Sequence, residues 1–320
     1  MFSGKIFRYF IFGIILSALV YIFMAFYADQ DLVFTAIKKF NWNLLPVLLF
    51  LSLLNYFTRF LKWHYYLKII SIDITFKNSI LVFFSGLVMS ITPAKAGEIL
   101  KPYLVNKITN DSIAKTLPVV FAERLTDFLG LIVLAAIGVF VFDYGKTVLI
   151  VAVVIVVTMI LLIAQRNYLL KLIDALEKFK MLSGFLLKLR ESLESAYKLI
   201  GFIPLVTMVL LSIVSWFFEC FALYLILSEF NIDFSLLWTT FVYSFSTIAG
   251  ALSILPGGVG VTEGSLTYLI HNNGFTMDIS VLATFIVRVV TLWFAVVVGA
   301  ISLFFLRKQI PEISKTKTSE

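Results

Sequence analysis

Glu98 precedes Arg124 by 26 residues and Glu263 precedes Arg288 by 25. Each glutamate closes a run that cannot continue a helix: Thr92-Pro93-Ala94-Lys95-Ala96-Gly97-Glu98, and Leu255-Pro256-Gly257-Gly258-Val259-Gly260-Val261-Thr262-Glu263-Gly264. A helix restarting after each break, near Ala94 and near Val261, would present unpaired backbone N–H groups, which attract anions. Lys95, Arg124 and Arg288 add full positive charges, and phosphate is the natural guest. Lys95, Gly97, Glu98, Arg124, Gly257, Gly258, Gly260, Glu263 and Arg288 are therefore the candidate headgroup-binding residues. Glu98 and Glu263 have two available jobs: to cap the helix and pair with those cations, or to meet a cationic part of a substrate. Glu123 and Asp127, one turn apart, bring two carboxylates to one helix face, and Arg124 lies three residues from Asp127. That trio can carry a proton or form a structural ion pair.

The elements that hold these groups lie in a membrane. Of the residues 61% are hydrophobic and 14% charged, and mean hydropathy is +1.01, far from a soluble domain. Apolar runs fall at about 10 to 26, 44 to 63, 78 to 91, 115 to 142, 147 to 165, 203 to 227, 236 to 255 and 280 to 306. Most can cross ~30 Å of hydrocarbon. Proline and glycine break two of them, and five of the 16 glycines fall between Gly250 and Gly264. Non-helical backbone is tolerated in lipid only where protein or water surrounds it. A lone charge at the bilayer centre costs ~2.5 to 3.5 kcal/mol. Glu98, Glu123, Arg124, Asp127, Glu219, Glu263 and Arg288 are thus expected to share one protein-lined interior.

Basic residues orient the spans. If 78 to 106 enters and leaves from the cytoplasm and 236 to 271 from outside, 20 of the 26 Lys and Arg fall on the cytoplasmic side. That set includes Arg59, Lys62 and Lys101. Lys38, Lys39 and Lys146 fall outside, and Lys95, Arg124 and Arg288 within the membrane. The expected fold is an all-α polytopic membrane protein: six transmembrane helices plus two oppositely oriented re-entrant helical hairpins, both termini cytoplasmic, in the cell membrane. Residues 10 to 142 and 147 to 306 then form an inverted repeat with the two tips meeting near the midplane. A single integral domain covers 1 to 306, with a cytoplasmic tail at 307 to 320. The run from Phe10 to Phe26 is longer than a secretory signal core and is expected to be a retained span.

Residues 166 to 200 interleave leucines at helical spacing with lysines and acids, and Gly184 is expected to separate two helices. They fit either interfacial helices on anionic headgroups or a linker with an apolar seam against the bundle. The one cysteine, Cys220, excludes an internal disulfide. The net charge of +7 is explained by membrane orientation rather than nucleic acid.

The two break motifs together with Glu123-Arg124-Leu125-Thr126-Asp127 resemble the flippase-like membrane region of lysylphosphatidylglycerol synthases. Arg59 with Trp63, and Arg288 followed by Gly299, fit the same pattern. The resemblance covers nearly the whole chain. It implies a stand-alone multi-pass protein that moves a phospholipid or another lipid-linked headgroup between leaflets, without the soluble synthase domain. Lys95 and Thr262 stand where many relatives carry arginine, so bidentate phosphate contacts are not expected there.

Lipid translocation is the leading expectation, with no cofactor and no chemistry by the protein. The expected partners are anionic phospholipid or polyprenyl-linked lipid and a separate lipid-modifying enzyme. Two alternatives remain: a membrane-embedded transferase using the carboxylates as acid and base, and an exporter of a small soluble anion. No G-x-x-x-x-G-K-[ST] loop is present to power transport by nucleotide hydrolysis. His64 and His271 lie near opposite faces, and no nucleophile has an adjacent base.

Overall fold

The computed structural model describes residues 4–27, 30–92, 97–142, 145–176, 183–230 and 232–317, and every regular element among them is helical. In chain order these are α1 (Gly4–Tyr27), α2 (Gln30–Lys39), α3 (Leu45–Ile69), α4 (Phe76–Gly86), α5 (Leu100–Thr109), α6 (Ile113–Val141), α7 (Lys146–Ala164), α8 (Arg166–Leu176), α9 (Ser183–Leu199), α10 (Phe202–Ser228), α11 (Leu236–Leu252), α12 (Val261–Asn272), α13 (Met277–Arg288) and α14 (Phe294–Lys317). The starts follow local chemistry. Thr75, Ser112 and Ser235 each accept a backbone N–H of the first turn of α4, α6 and α11. Asn110, at φ 66°, ends α5 in the left-handed conformation that asparagine tolerates.

Three helical stretches are long and apolar enough to cross a membrane: Trp42–Ile69, Phe202–Ser228 and Met277–Gln309. At 28 residues the first spans about 42 Å, more than the hydrocarbon thickness. The third runs from α13 through a π-helical segment, Val289–Trp293, into α14. Lys146–Leu162 joins Arg166–Leu176 with a 57° bend as a fourth candidate span. Phe76–Ile91 and Leu236–Leu252 are apolar but shorter. The chain is a multi-pass, all-helical membrane protein, and α1 and α7 turn large apolar side chains such as Phe12, Phe23, Val154 and Leu161 outward.

Packing couples the two halves. α3 lies along α10, α4 along α14, and α11 along α6; each broken helix thus packs on the late helix of the other half. Within lipid, burial from water cannot drive this association, and close approach of backbones does. A Cβ on Gly138 of α6 would fall 2.3 Å from Phe241 Cβ on α11, and a Cβ on Gly299 of α14 would fall 2.3 Å from the backbone nitrogen of Val88, just after α4. Both crossings require glycine.

Two features differ from the sequence reading. α2, a short amphipathic helix packed on α13, was not foreseen because its ten residues are too polar for a span. Gly184 does not separate two helices: it sits in the first turn of α9. The gap between α8 and α9 falls at 177–182, outside the described residues. α9 packs against α6 and buries Leu186, Ser195 and Leu199.

Candidate functional site

The two breaks meet. After α4 a 3-10 turn, Leu87–Ile91, leads to Thr92, and a Cβ on Gly257 of the second break would lie 3.6 Å from Ile91 Cα and from Ser90 O. The second break is held open by backbone that favours glycine: φ is +60° at Gly257, +67° at Gly258 and +90° at Gly260. α11 crosses α12 so closely that a Cβ on Gly250 would fall 1.9 Å from Thr262 Oγ1.

Arg288, at the last turn of α13, stitches the second break together. Its Nε donates to Glu263 Oε1 at 2.7 Å and its Nη2 to the Gly257 carbonyl at 2.7 Å. Glu263 Oε2 accepts the Gly260 N–H at 2.7 Å, capping α12. Of the two available jobs of this carboxylate, the structure shows the first, capping the helix and pairing with a cation. The π-helical segment begins at the next residue, and Tyr56 of α3 donates to the Thr291 carbonyl within it.

Arg124 repeats the motif in the first half. Its Nε donates to Glu98 Oε2 at 2.9 Å and its Nη2 to Glu98 Oε1, giving a bidentate pair. The similar sequence spacings of the two Glu–Arg pairs, 26 and 25 residues, therefore correspond to a Glu–Arg contact in both halves. Gly97 N–H donates to Thr92 Oγ1 at 3.0 Å across the first break. Lys95, with Pro93, Ala94 and Ala96, lies outside the described residues, as does the expected helix start near Ala94.

Glu123 and Asp127 do not share one environment. Glu123 pairs with Lys101 of α5 at 2.5 Å, and that ammonium lies 4.6 Å from the Trp63 ring centroid. Asp127 pairs with Lys62 of α3 at 2.5 Å, and Lys62 also donates to Ser212 Oγ at 2.7 Å and Thr126 Oγ1 at 3.2 Å. Arg59 and Arg124 approach the second oxygen of Asp127 at 3.5 and 3.7 Å.

Here the sequence reading is corrected. Arg59, Lys62 and Lys101, counted as cytoplasmic anchors, are buried, Lys62 with no exposed surface. Counting cations along a sequence cannot see their partners; a buried ammonium persists because carboxylates and hydroxyls surround it. The missed signal is a polar stripe at helical spacing, Ser52, Asn55, Arg59, Lys62 and Tyr66, inside an otherwise apolar span. Glu219 of α10, foreseen as interior, accepts from Tyr243 Oη at 2.5 Å.

Two cavities adjoin this network. The larger, about 430 Å³, is polar at Arg124, Asp127, Gly257 and Gly258 and apolar along Phe128, Leu131, Ile155 and Met159 of α6 and α7. It reaches the surface beside Ile254, which is 65% exposed. The smaller, about 100 Å³, is lined by Arg59, Trp216, Glu219, Tyr243 and Arg288, and shares Trp216, Thr247, Gly250, Gly257 and Gly258 with the first. No group of three metal-ligating side chains occurs among the described residues.

A family model described as the lysylphosphatidylglycerol synthase TM region matches residues 10–299, which takes in every charged group above. The chain belongs to this family. The chain is also similar to a UPF0104 membrane protein of Methanocaldococcus jannaschii, 28% identical over 69% of this chain and 94% of that protein, and to one of Methanothermobacter thermautotrophicus, 26% identical over 84% of this chain and 86% of that protein. A second M. jannaschii UPF0104 protein is 22% identical over 78% of this chain and 80% of its own length. The matched range takes in both breaks and α6.

Proposed function

We propose that the protein translocates lipid, moving a phospholipid or lipid-linked anionic headgroup between leaflets. The observation that carries this reading is the shape and chemistry of the larger cavity. One end offers Arg124 and the glycine backbone of the second break, the other offers the apolar flank of α6 and α7, and the rim opens beside Ile254. A soluble anion has no use for the long apolar part, whereas an amphiphile matches both ends. The headgroup would enter at Arg124 and pass the meeting point of the two breaks while acyl chains stay in the bilayer.

The arrangement that serves this transport is six crossings with two re-entrant hairpins, both termini cytoplasmic. α4 with α5 and α11 with α12 form the hairpins. The reciprocal packing of α4 on α14 and of α11 on α6, with α3 on α10 between them, is what a twofold-related inverted repeat would produce. Removing Arg59, Lys62 and Lys101 from the cytoplasmic set leaves the orientation unchanged, because the rest still outnumber Lys38, Lys39 and Lys146. A cysteine introduced at Asn110 should react only from the cytoplasmic side, and labelling from outside would reverse the assignment.

The protein itself forms no bond in this reading. Movement is downhill or coupled to an ion gradient or a partner, and a separate enzyme would make the lipid. Purified protein in vesicles should exchange fluorescent phospholipid between leaflets and leave it covalently unchanged. A new lipid product would favour the transferase, and transport of soluble phosphate without lipid exchange would favour the anion exporter.

A further inference from the structure

We propose that Arg59 forms an anion subsite for a singly charged phosphodiester in the smaller cavity, a second station beyond Arg124. The proposal rests on the translocation reading for its lipid source but stands on separate geometry. Arg59 is 8% exposed, yet its guanidinium makes no hydrogen bond to any described residue. It meets Asp127 Oδ2 at 3.5 Å, the other carboxylate oxygen being occupied by Lys62, and its Cζ lies 5.4 Å from the Trp216 ring centroid. Nε is buried without a partner among the described residues, and the terminal donors, held 3.5 Å from Asp127, are costly to leave unspent unless a guest takes them. Nε is sealed from the cavity, so the terminal nitrogens are the ones that reach its wall. Trp216 Nε1 is sealed in the same way, so Trp216 offers the cavity its ring.

The other arginine of this cavity cannot serve in its place. Arg288 spends its donors on Glu263 and Gly257. Lys62 is likewise saturated. A planar guanidinium fixed by stacking suits two oxygens of one tetrahedral phosphate. Glu219, which also lines this cavity and is hydrogen-bonded by Tyr243, selects against extra negative charge. A phosphodiester carries one charge, whereas a free phosphate or monoester approaches two near neutral pH. The volume, about 100 Å³, accommodates a phosphate group and excludes acyl chains, and the wall shared at Trp216 and Gly257 joins it to the larger cavity.

The test is equilibrium binding to the full chain in nanodiscs of three probes: dihexanoylphosphatidylglycerol, inorganic phosphate, and dihexanoylglycerol without phosphate. The wild type should bind the phosphodiester best. Arg59→Lys, which keeps the charge facing Asp127, should weaken it about tenfold, Arg59→Gln more, and Trp216→Phe by a few-fold through the smaller ring beside the guanidinium. If Arg59→Gln does not fold, Arg59→Lys and Trp216→Phe decide. Unchanged affinity in folded Arg59 variants would overturn the subsite, making Arg59 a structural counterion of Asp127. Equal Arg59-dependent binding of inorganic phosphate would overturn the phosphodiester selectivity. Arg59-dependent binding in protein that exchanges no lipid between vesicle leaflets would retain the subsite and remove translocation; exchange that proceeds normally in Arg59→Lys would do the reverse.

Discussion

The two broken segments use the same pair of residues to different ends. In both, a glutamate just past the break binds the arginine of the following helix. The second pair is closed: Glu263 has no exposed side-chain surface and Arg288 9%, and besides bonding each other the carboxylate takes the Gly260 N–H while the guanidinium reaches the Gly257 carbonyl. The first pair is open: Arg124 keeps 28% of its side chain exposed, shares Asp127 with Lys62 and Arg59, and lines the larger cavity. One arginine therefore holds a loop in shape, and the other faces a cavity. Identical residue types at similar sequence spacing do not imply identical work; the donors left over after folding decide it.

The largest effect should come from Arg288→Ala. It strands a fully buried carboxylate and an unpaired carbonyl, and should cost about 3 to 5 kcal/mol in unfolding from mixed micelles. Arg124→Ala should cost less, about 1 to 3 kcal/mol, while abolishing lipid exchange in folded protein. Equal stability losses would erase the distinction between clamp and cavity-facing arginine.

The cation network around the open pair should be strongly coupled. A double-mutant cycle of Lys62→Met and Asp127→Asn should give an interaction free energy of about 1 to 3 kcal/mol, and additive effects would mean the 2.5 Å contact does not form. Within the closed break, Gly258→Ala should cost about 1 to 3 kcal/mol, since its φ is +67° and the added Cβ would lie 2.6 Å from Thr262 Oγ1. Gly264→Ala, in open space on α12, should be neutral or stabilise by up to ~1 kcal/mol. The smallest effect should be at α8 and α9: Asp174→Asn removes an exposed pair with Arg190 and should change stability by about 0.5 kcal/mol or less.

Much of this was legible in the residues. Proline and glycine inside apolar runs marked both breaks, and the Glu–Arg spacing marked both pairs, because a membrane interior forces such groups to find partners. The buried role of Arg59, Lys62 and Lys101 was not. A lysine near a span end and a lysine inside a bundle have the same local sequence; only the facing helix, here α6 with Glu123 and Asp127, tells them apart. The cavity was equally out of reach, since its walls come from α3, α6, α7, α10 and α11 together. α2 was missed because ten mostly amphipathic residues carry no hydropathy signal of their own.

The most direct test is leaflet exchange in reconstituted vesicles, read as quenching by dithionite of a fluorescent phospholipid. Wild-type protein should expose the inner-leaflet label within the assay, and Arg124→Gln, folded by its thermal transition, should behave as protein-free vesicles do. Wild-type exchange no faster than in empty vesicles, or an Arg124→Gln rate equal to wild type, would contradict the account.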